Sequence, residues 1–178
     1  VSPRNVISAL FLTQEYALCK WEIAGFDKLL PPRMSEEAWA ARDATARTAR
    51  QTQNAAARIN GPVFTDGLHK WRLVVWPHGN NTQAVAIYLD VANAECLPTG
   101  WNHIAHFTLL VKEPRVFKTL THQFSAEERD YGWKSVVPFE AFERDDYLND
   151  GKLTVCAAVR VERCLEYQET YRRAKKLL

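Results

Sequence analysis

The chain has no glycine-rich phosphate loop, no dinucleotide fingerprint and no Gly-x-Ser-x-Gly nucleophile elbow. Those absences remove the motif-based case for nucleotide binding and for α/β-hydrolase chemistry. Four cysteines are present, at 19, 96, 156 and 164, without a C-x-x-C pair or zinc-finger spacing. They read as buried or half-buried thiols of a reducing compartment (cytosol, nucleus or an organelle matrix), and neither a metal nor another cofactor is expected. No apolar run reaches the roughly 18–20 residues that cross a bilayer, so no membrane span is expected. The net charge is only +2, whereas a groove binder would show a concentrated basic stripe, so no nucleic-acid partner is expected. The first residue is Val, which fits a fragment or a chain whose targeting peptide has been removed. The apolar stretch 6–12 is short for a signal core, lacks a basic lead and a small-residue cleavage signature, and is read as structure.

What is present is patterned. Apolar residues make up 47% and charged residues 25%, ordinary proportions for a globular domain, and six tryptophans call for burial or a partner surface. Ser2-Pro3 followed by Val6, Ile7, Leu10 and Phe11 at helical spacing predicts an N-terminal helix over 3–16. Residues 18–24 alternate and read as a first strand. Residues 32–60 form an insertion whose Ala/Arg/Thr/Gln-rich run opens with Ser35-Glu36-Glu37 and, from Ser35 on, has Trp39 as its one large apolar residue before Ile59. It reads as helical or partly disordered. From Gly61 onward the pattern is β: strands at 61–65, 69–76, 84–91, 102–112, 116–124 and 152–161, with a short strand or turn at 131–135. Turns fall at Asp66-Gly67 and Asn149-Asp150-Gly151. In 84–91, Val85, Ile87, Leu89 and Val91 share one face, so Tyr88 points the other way. Residues 163–178, ending in Arg172-Arg173-Ala174-Lys175-Lys176, read as a C-terminal helix.

Short strands with turn chemistry between them describe an all-β protein: an eight-stranded antiparallel β-sandwich over 18–162, with the 32–60 insertion and a helix at each terminus. His103 and His106 lie three apart on one strand and face opposite ways, so they do not converge. Like His122, they are expected at surface or half-buried positions. Glu127-Glu128 and Asp145-Asp146 read as solvated turns rather than catalytic pairs. No catalysis is expected.

An ordered series of residues resembles the MATH (TRAF-like) domain, most closely that of ubiquitin-specific proteases. The series comprises Trp21-Glu22-Ile23, Phe64, Asp66-Gly67, Lys70-Trp71, Leu73, Pro77-His78-Gly79 and Ile87-Tyr88-Leu89. It continues through Trp101, Phe107, His122-Gln123-Phe124, Asp130-Tyr131-Gly132-Trp133 and Tyr147 to Val155. The resemblance implies a non-catalytic protein-interaction module, tied to ubiquitin pathways, that binds extended Ser-containing peptides in a shallow groove. It implies that Asp130 accepts from a peptide hydroxyl and that Tyr131 and Trp133 wall an apolar pocket. Gly132 would permit close backbone approach, with Tyr88, His122 and Phe124 completing the groove. Tyr131 stands where the family usually has Trp, and Trp133 where it usually has Phe. The other expectation is a structural subunit of a large assembly, organellar for example. There the terminal helices and the insertion would cover neighbouring subunits, and the fold would be kept without peptide binding.

Overall fold

A computed structural model describes residues 16–31, 58–80, 82–112, 116–144 and 146–164. The expected N-terminal helix (apart from Tyr16), the insertion up to residue 57 and the chain after 164 lie outside the described residues.

The strands are β1 (Ala17–Ile23), β2 (Ile59–Thr65), β3 (Lys70–Trp76), β4 (Ala84–Val91), β5 (Asn102–Val111), β6 (Val116–Ser125), β7 (Asp130–Pro138), β8 (Leu148–Asn149) and β9 (Lys152–Cys164). They form two sheets, one ordered β1-β9-β5-β6 with β8 beside β9, the other β2-β3-β4-β7. Every pairing is antiparallel. The expected eight-stranded sandwich is present, with β8 as an added two-residue strand.

Alternation explains the core. Trp71, Leu73 and Val75 of β3, Val85, Ile87, Leu89 and Val91 of β4, and Leu153, Val155, Ala157 and Val159 of β9 are all buried between the sheets. Trp71, Phe107 and Phe124 form its aromatic centre, with Phe124 5.2 Å from Trp71 and 5.9 Å from Phe107 between ring centroids. Offset and edge contacts of this kind add to the burial of large rings. The Asp150-Gly151 turn between β8 and β9 has φ of 52° and 69°, the left-handed pair that a two-residue hairpin turn requires. Gly151 also accepts the Phe26 N–H at 2.8 Å, which anchors the 3-10 turn Phe26–Leu29 after β1.

The strand boundaries differ from expectation in three places. β9 runs on through Glu162, Arg163 and Cys164, so those residues are strand and residues 163 and 164 are not helical. β2 begins at Ile59, inside the span assigned to the insertion. β7 covers nine residues rather than a short strand or turn. A register shift between Val85 and Ile87 breaks the two-residue period where β4 meets β7, leaving Val136 and Val137 buried side by side. An irregularity of this kind hides a strand from pattern reading. A short helix, α1 (Ala141–Arg144), follows β7. No helix of the described residues is long and apolar enough to cross a membrane.

Candidate functional site

β7 lies at the end of one sheet and β6 at the end of the other, so the two strands flank the same open side of the sandwich. Pairing with β4 fixes which way each β7 side chain points. Leu89 opposes Tyr131 and Ile87 opposes Trp133, whereas Tyr88 opposes Gly132 and Asp90 opposes Asp130. Directly opposed residues share a face. The Asp130-Tyr131-Gly132-Trp133 segment is therefore divided between two surfaces.

Tyr131 and Trp133 point between the sheets. Both are half-buried and pack against the core. Trp133 meets Phe107 at 5.7 Å, and Tyr131 stacks on His122 of β6 with centroids 3.7 Å apart and planes at 20°. The His122–Tyr131 stack thus closes part of the slot between the β6 and β7 edges. Its charge is held down: burial lowers the His122 pKa, and Glu128, 3.5 Å from Nε2, only partly opposes this. A neutral imidazole is the better stacking partner for an apolar slot. Phe124 shares the inner face of β6 but is fully buried against Trp71 and Phe107. That corrects its assignment as a groove wall: it is a core residue beneath the slot.

The outer face carries charge. Asp90, next to the last residue of β4, is fully buried and is reached by three guanidinium groups. Arg72 Nε donates at 2.5 Å, Arg129 Nε donates at 3.1 Å, and Arg58 Nη2 lies 3.6 Å away. Arg129 also donates to Glu95 at 3.1 Å, and its hydrogen bond to Asp90 is the main cause that holds its pKa above the usual guanidinium value. Asp130 sits beside this cluster with its carboxylate 3.7 Å from Arg58 Nη1 and about a third exposed. Burial, then the charge of Asp90, raise the Asp130 pKa, and Arg58 and Arg129 only partly offset this. An acceptor in this state readily takes a hydrogen bond from a ligand hydroxyl or amide, because its own charge is incompletely compensated. Tyr88 is on the same face, half-buried, with its hydroxyl accepting from Asn80 Nδ2 at 3.0 Å; burial raises its pKa.

Gly132 permits close approach, but of this protein's own backbone. A Cβ there would overlap the Ile87 carbonyl oxygen and come within 2.6 Å of Tyr88 Cα. The glycine serves the β4–β7 contact inside the sheet.

The Arg58–Arg72–Asp90–Arg129 cluster was not anticipated from the sequence. One signal pointed to it: a charged residue inside each of two apolar strands, Arg72 and Asp90, which are register partners. The histidine expectation holds in one respect, since His103 and His106 do face opposite sides of β5. His103, however, is 1% exposed and belongs to the interior, not to a surface or half-buried position. Among the cysteines, Cys96 departs from the expected burial and is exposed.

A family model described as "MATH domain" matches residues 45–159, well over half of the chain. Ubiquitin C-terminal hydrolase 12 of Arabidopsis thaliana is 38% identical over 112 residues, which cover 59% of this chain and 10% of that protein. The TNF receptor-associated factor homolog 1a of the same plant is 32% identical over 123 residues, 62% of this chain and 12% of that protein. A MATH domain and coiled-coil domain-containing protein, also from Arabidopsis thaliana, is 31% identical over 101 residues, 52% of this chain and 33% of that protein. The chain thus spans between about a tenth and a third of these relatives' own lengths.

Proposed function

This chain belongs to the MATH domain family, a protein-interaction module of TRAF and ubiquitin-hydrolase proteins, and we propose that it binds an extended peptide segment of a protein partner along β7. The observation that carries the reading is the division of the 130–133 segment between two faces of a sheet-end strand. Among the described residues β7 pairs only with β4, so its other side can accept an added strand. Backbone hydrogen bonds would supply part of the affinity, and alternate side chains of the ligand would sample the two faces in turn. An apolar ligand side chain would enter beside Tyr131, His122 and Trp133. The next polar group, a serine hydroxyl for example, would reach Asp130 on the outer face.

The partner is proposed to be a ubiquitin-pathway protein in a reducing compartment. The hydrolase relatives motivate the first part and the cysteines, none in a disulfide, the second. The chain's own role is binding rather than catalysis.

The test is titration of the whole chain with Ser-containing strand peptides and their Ser→Ala counterparts. Asp130→Ala is expected to weaken the serine peptide about tenfold, about 1.4 kcal/mol, and to abolish the preference for serine. Tyr131→Ala is expected to weaken both peptides by a similar factor. Absence of wild-type binding at millimolar peptide would sink the reading.

A further inference from the structure

Three side chains with metal-binding atoms converge at one end of the sandwich. His69 closes the β2–β3 turn, His103 lies at the start of β5, and Cys164 ends β9. His103 and Cys164 are register partners across β5 and β9. His69 reaches them from the opposite sheet, its ring edge-on to that of His103 with centroids 4.9 Å apart. One ligand atom from each of the three residues lies within 4.8 Å of the other two. The histidines are 8% and 1% exposed, and Cys164 is half-buried, which gives the cluster a route to solvent. Four-coordinate zinc, with bonds of about 2.0–2.3 Å, sets its ligand atoms roughly 3.3–3.8 Å apart. The cluster needs only a contraction of about 1 Å, within reach of side-chain rotation at the end of β9.

A second, independent feature points the same way. Asp66 Oδ2 lies 2.7 Å from His69 Nδ1. The other oxygen of that carboxylate accepts the backbone N–H of Leu68 at 3.0 Å and of His69 at 2.8 Å, which fixes it in place. A carboxylate oxygen placed against Nδ1 orients the ring so that Nε2 is the ligand atom, the carboxylate–histidine pairing that positions metal-binding imidazoles. Trp71 and Trp101, with rings 6.1 and 5.0 Å from His103, wall the cluster with apolar surface.

We propose that His69, His103 and Cys164 form a zinc site of two imidazoles and one thiolate, with water in the fourth position and Asp66 orienting His69. A thiolate with imidazoles suits zinc and disfavours magnesium or calcium, which take oxygen ligands. Binding forms a Zn–S bond and releases the thiol proton to solvent, with no change of oxidation state. The ion would tie the β2–β3 turn of one sheet to β5 and β9 of the other, and would fix the point where the chain leaves β9.

Cobalt(II) is the probe, added to the whole chain under a non-chelating reductant, and the readout is independent of peptide binding. One equivalent is expected to give a thiolate-to-cobalt charge-transfer band in the near ultraviolet and the strong visible bands of four-coordinate cobalt. One equivalent of zinc should remove both. Cys164→Ser should abolish the charge-transfer band, while Cys96→Ser, which alters an exposed thiol, should keep it. Asp66→Asn should weaken cobalt about 10- to 100-fold. Circular dichroism of Cys164→Ser separates loss of a ligand from loss of the fold; the wild-type titration carries no such risk. No band with wild type, or a band that survives Cys164→Ser, would overturn the proposal.

Discussion

The two faces of the β4–β7 ribbon are built by opposite rules. On the inner face Leu89 opposes Tyr131 and Ile87 opposes Trp133, and the aromatic rings layer onto Phe107 and His122 of the other sheet. On the outer face Asp90 opposes Asp130 and Tyr88 opposes Gly132, and the contacts are ionic or between backbones. Four consecutive residues thus carry two kinds of chemistry because a strand turns each successive side chain to the other face. The difference teaches that a binding strand can present an apolar slot and a charged acceptor only one residue apart. A ligand strand has the same period and can read both.

The largest expected effect comes from forcing the ribbon apart. A Cβ at Gly132 meets backbone atoms of Ile87 and Tyr88, not the flexible end of a side chain. Neither strand can yield without breaking the β4–β7 ladder. Gly132→Ala is expected to cost about 3 kcal/mol or more, at the upper end for overpacking, and chemical denaturation would measure it. A loss under 1 kcal/mol, roughly what a tolerated surface change costs, would mean the strands are not in this register.

Next is Asp90→Ala, which leaves the outer face with arginines and no central carboxylate. Breaking a buried ion pair typically costs about 3–5 kcal/mol. The arginine side chains here are between 21% and 34% exposed and can turn toward water. The expected loss is therefore lower, about 2–3 kcal/mol, and Asp90→Asn should recover part of it through retained hydrogen bonding. Asn that is no better than Ala would show that charge rather than hydrogen-bond geometry holds the cluster.

The inner face was legible in the sequence and most of the outer face was not. Alternation in 84–91 identified Val85, Ile87, Leu89 and Val91 as core and turned Tyr88 outward, and the structure agrees. The fold followed from repeating that inference over the strands. Asp130 stands out in the sequence by its motif, whereas Asp90, the carboxylate that organises its surroundings, carries no motif of its own. Asp90 matters through Arg58, Arg72 and Arg129, which come from other parts of the chain, and cross-strand register is needed to bring them together. The same reason hid the histidine cluster. Sequence proximity pairs His103 with His106 on its own strand, whereas its neighbours His69 and Cys164 come from the other sheet and from an adjacent strand. Gly132 was recognised as a place of close approach, but only the pairing shows that β4 is what approaches.

The smallest effect sharpens the comparison most, because the two faces should respond to pH with opposite sign. On the outer face the Asp130 pKa is raised, by burial and then by Asp90, so the folded state holds its proton more tightly than the unfolded state does. Its contribution to stability is present below the ordinary carboxylate value, about 3.9, and is lost as pH rises through the raised folded value. On the inner face the His122 pKa is lowered by burial. Its contribution is present above the ordinary imidazole value, about 6.5, and is lost as pH falls through the lowered folded value. Melting temperatures of wild type, Asp130→Asn and His122→Gln, compared across that acid range, separate the two. Relative to Asp130→Asn, wild type should lose stability as pH rises out of the carboxylate range. Relative to His122→Gln, it should lose stability as pH falls below the imidazole range. Partial exposure of Asp130 makes its effect the smaller, since solvent screens it. Differences of the same sign for both variants would contradict the assignment of one residue to a charged outer face and the other to an apolar slot.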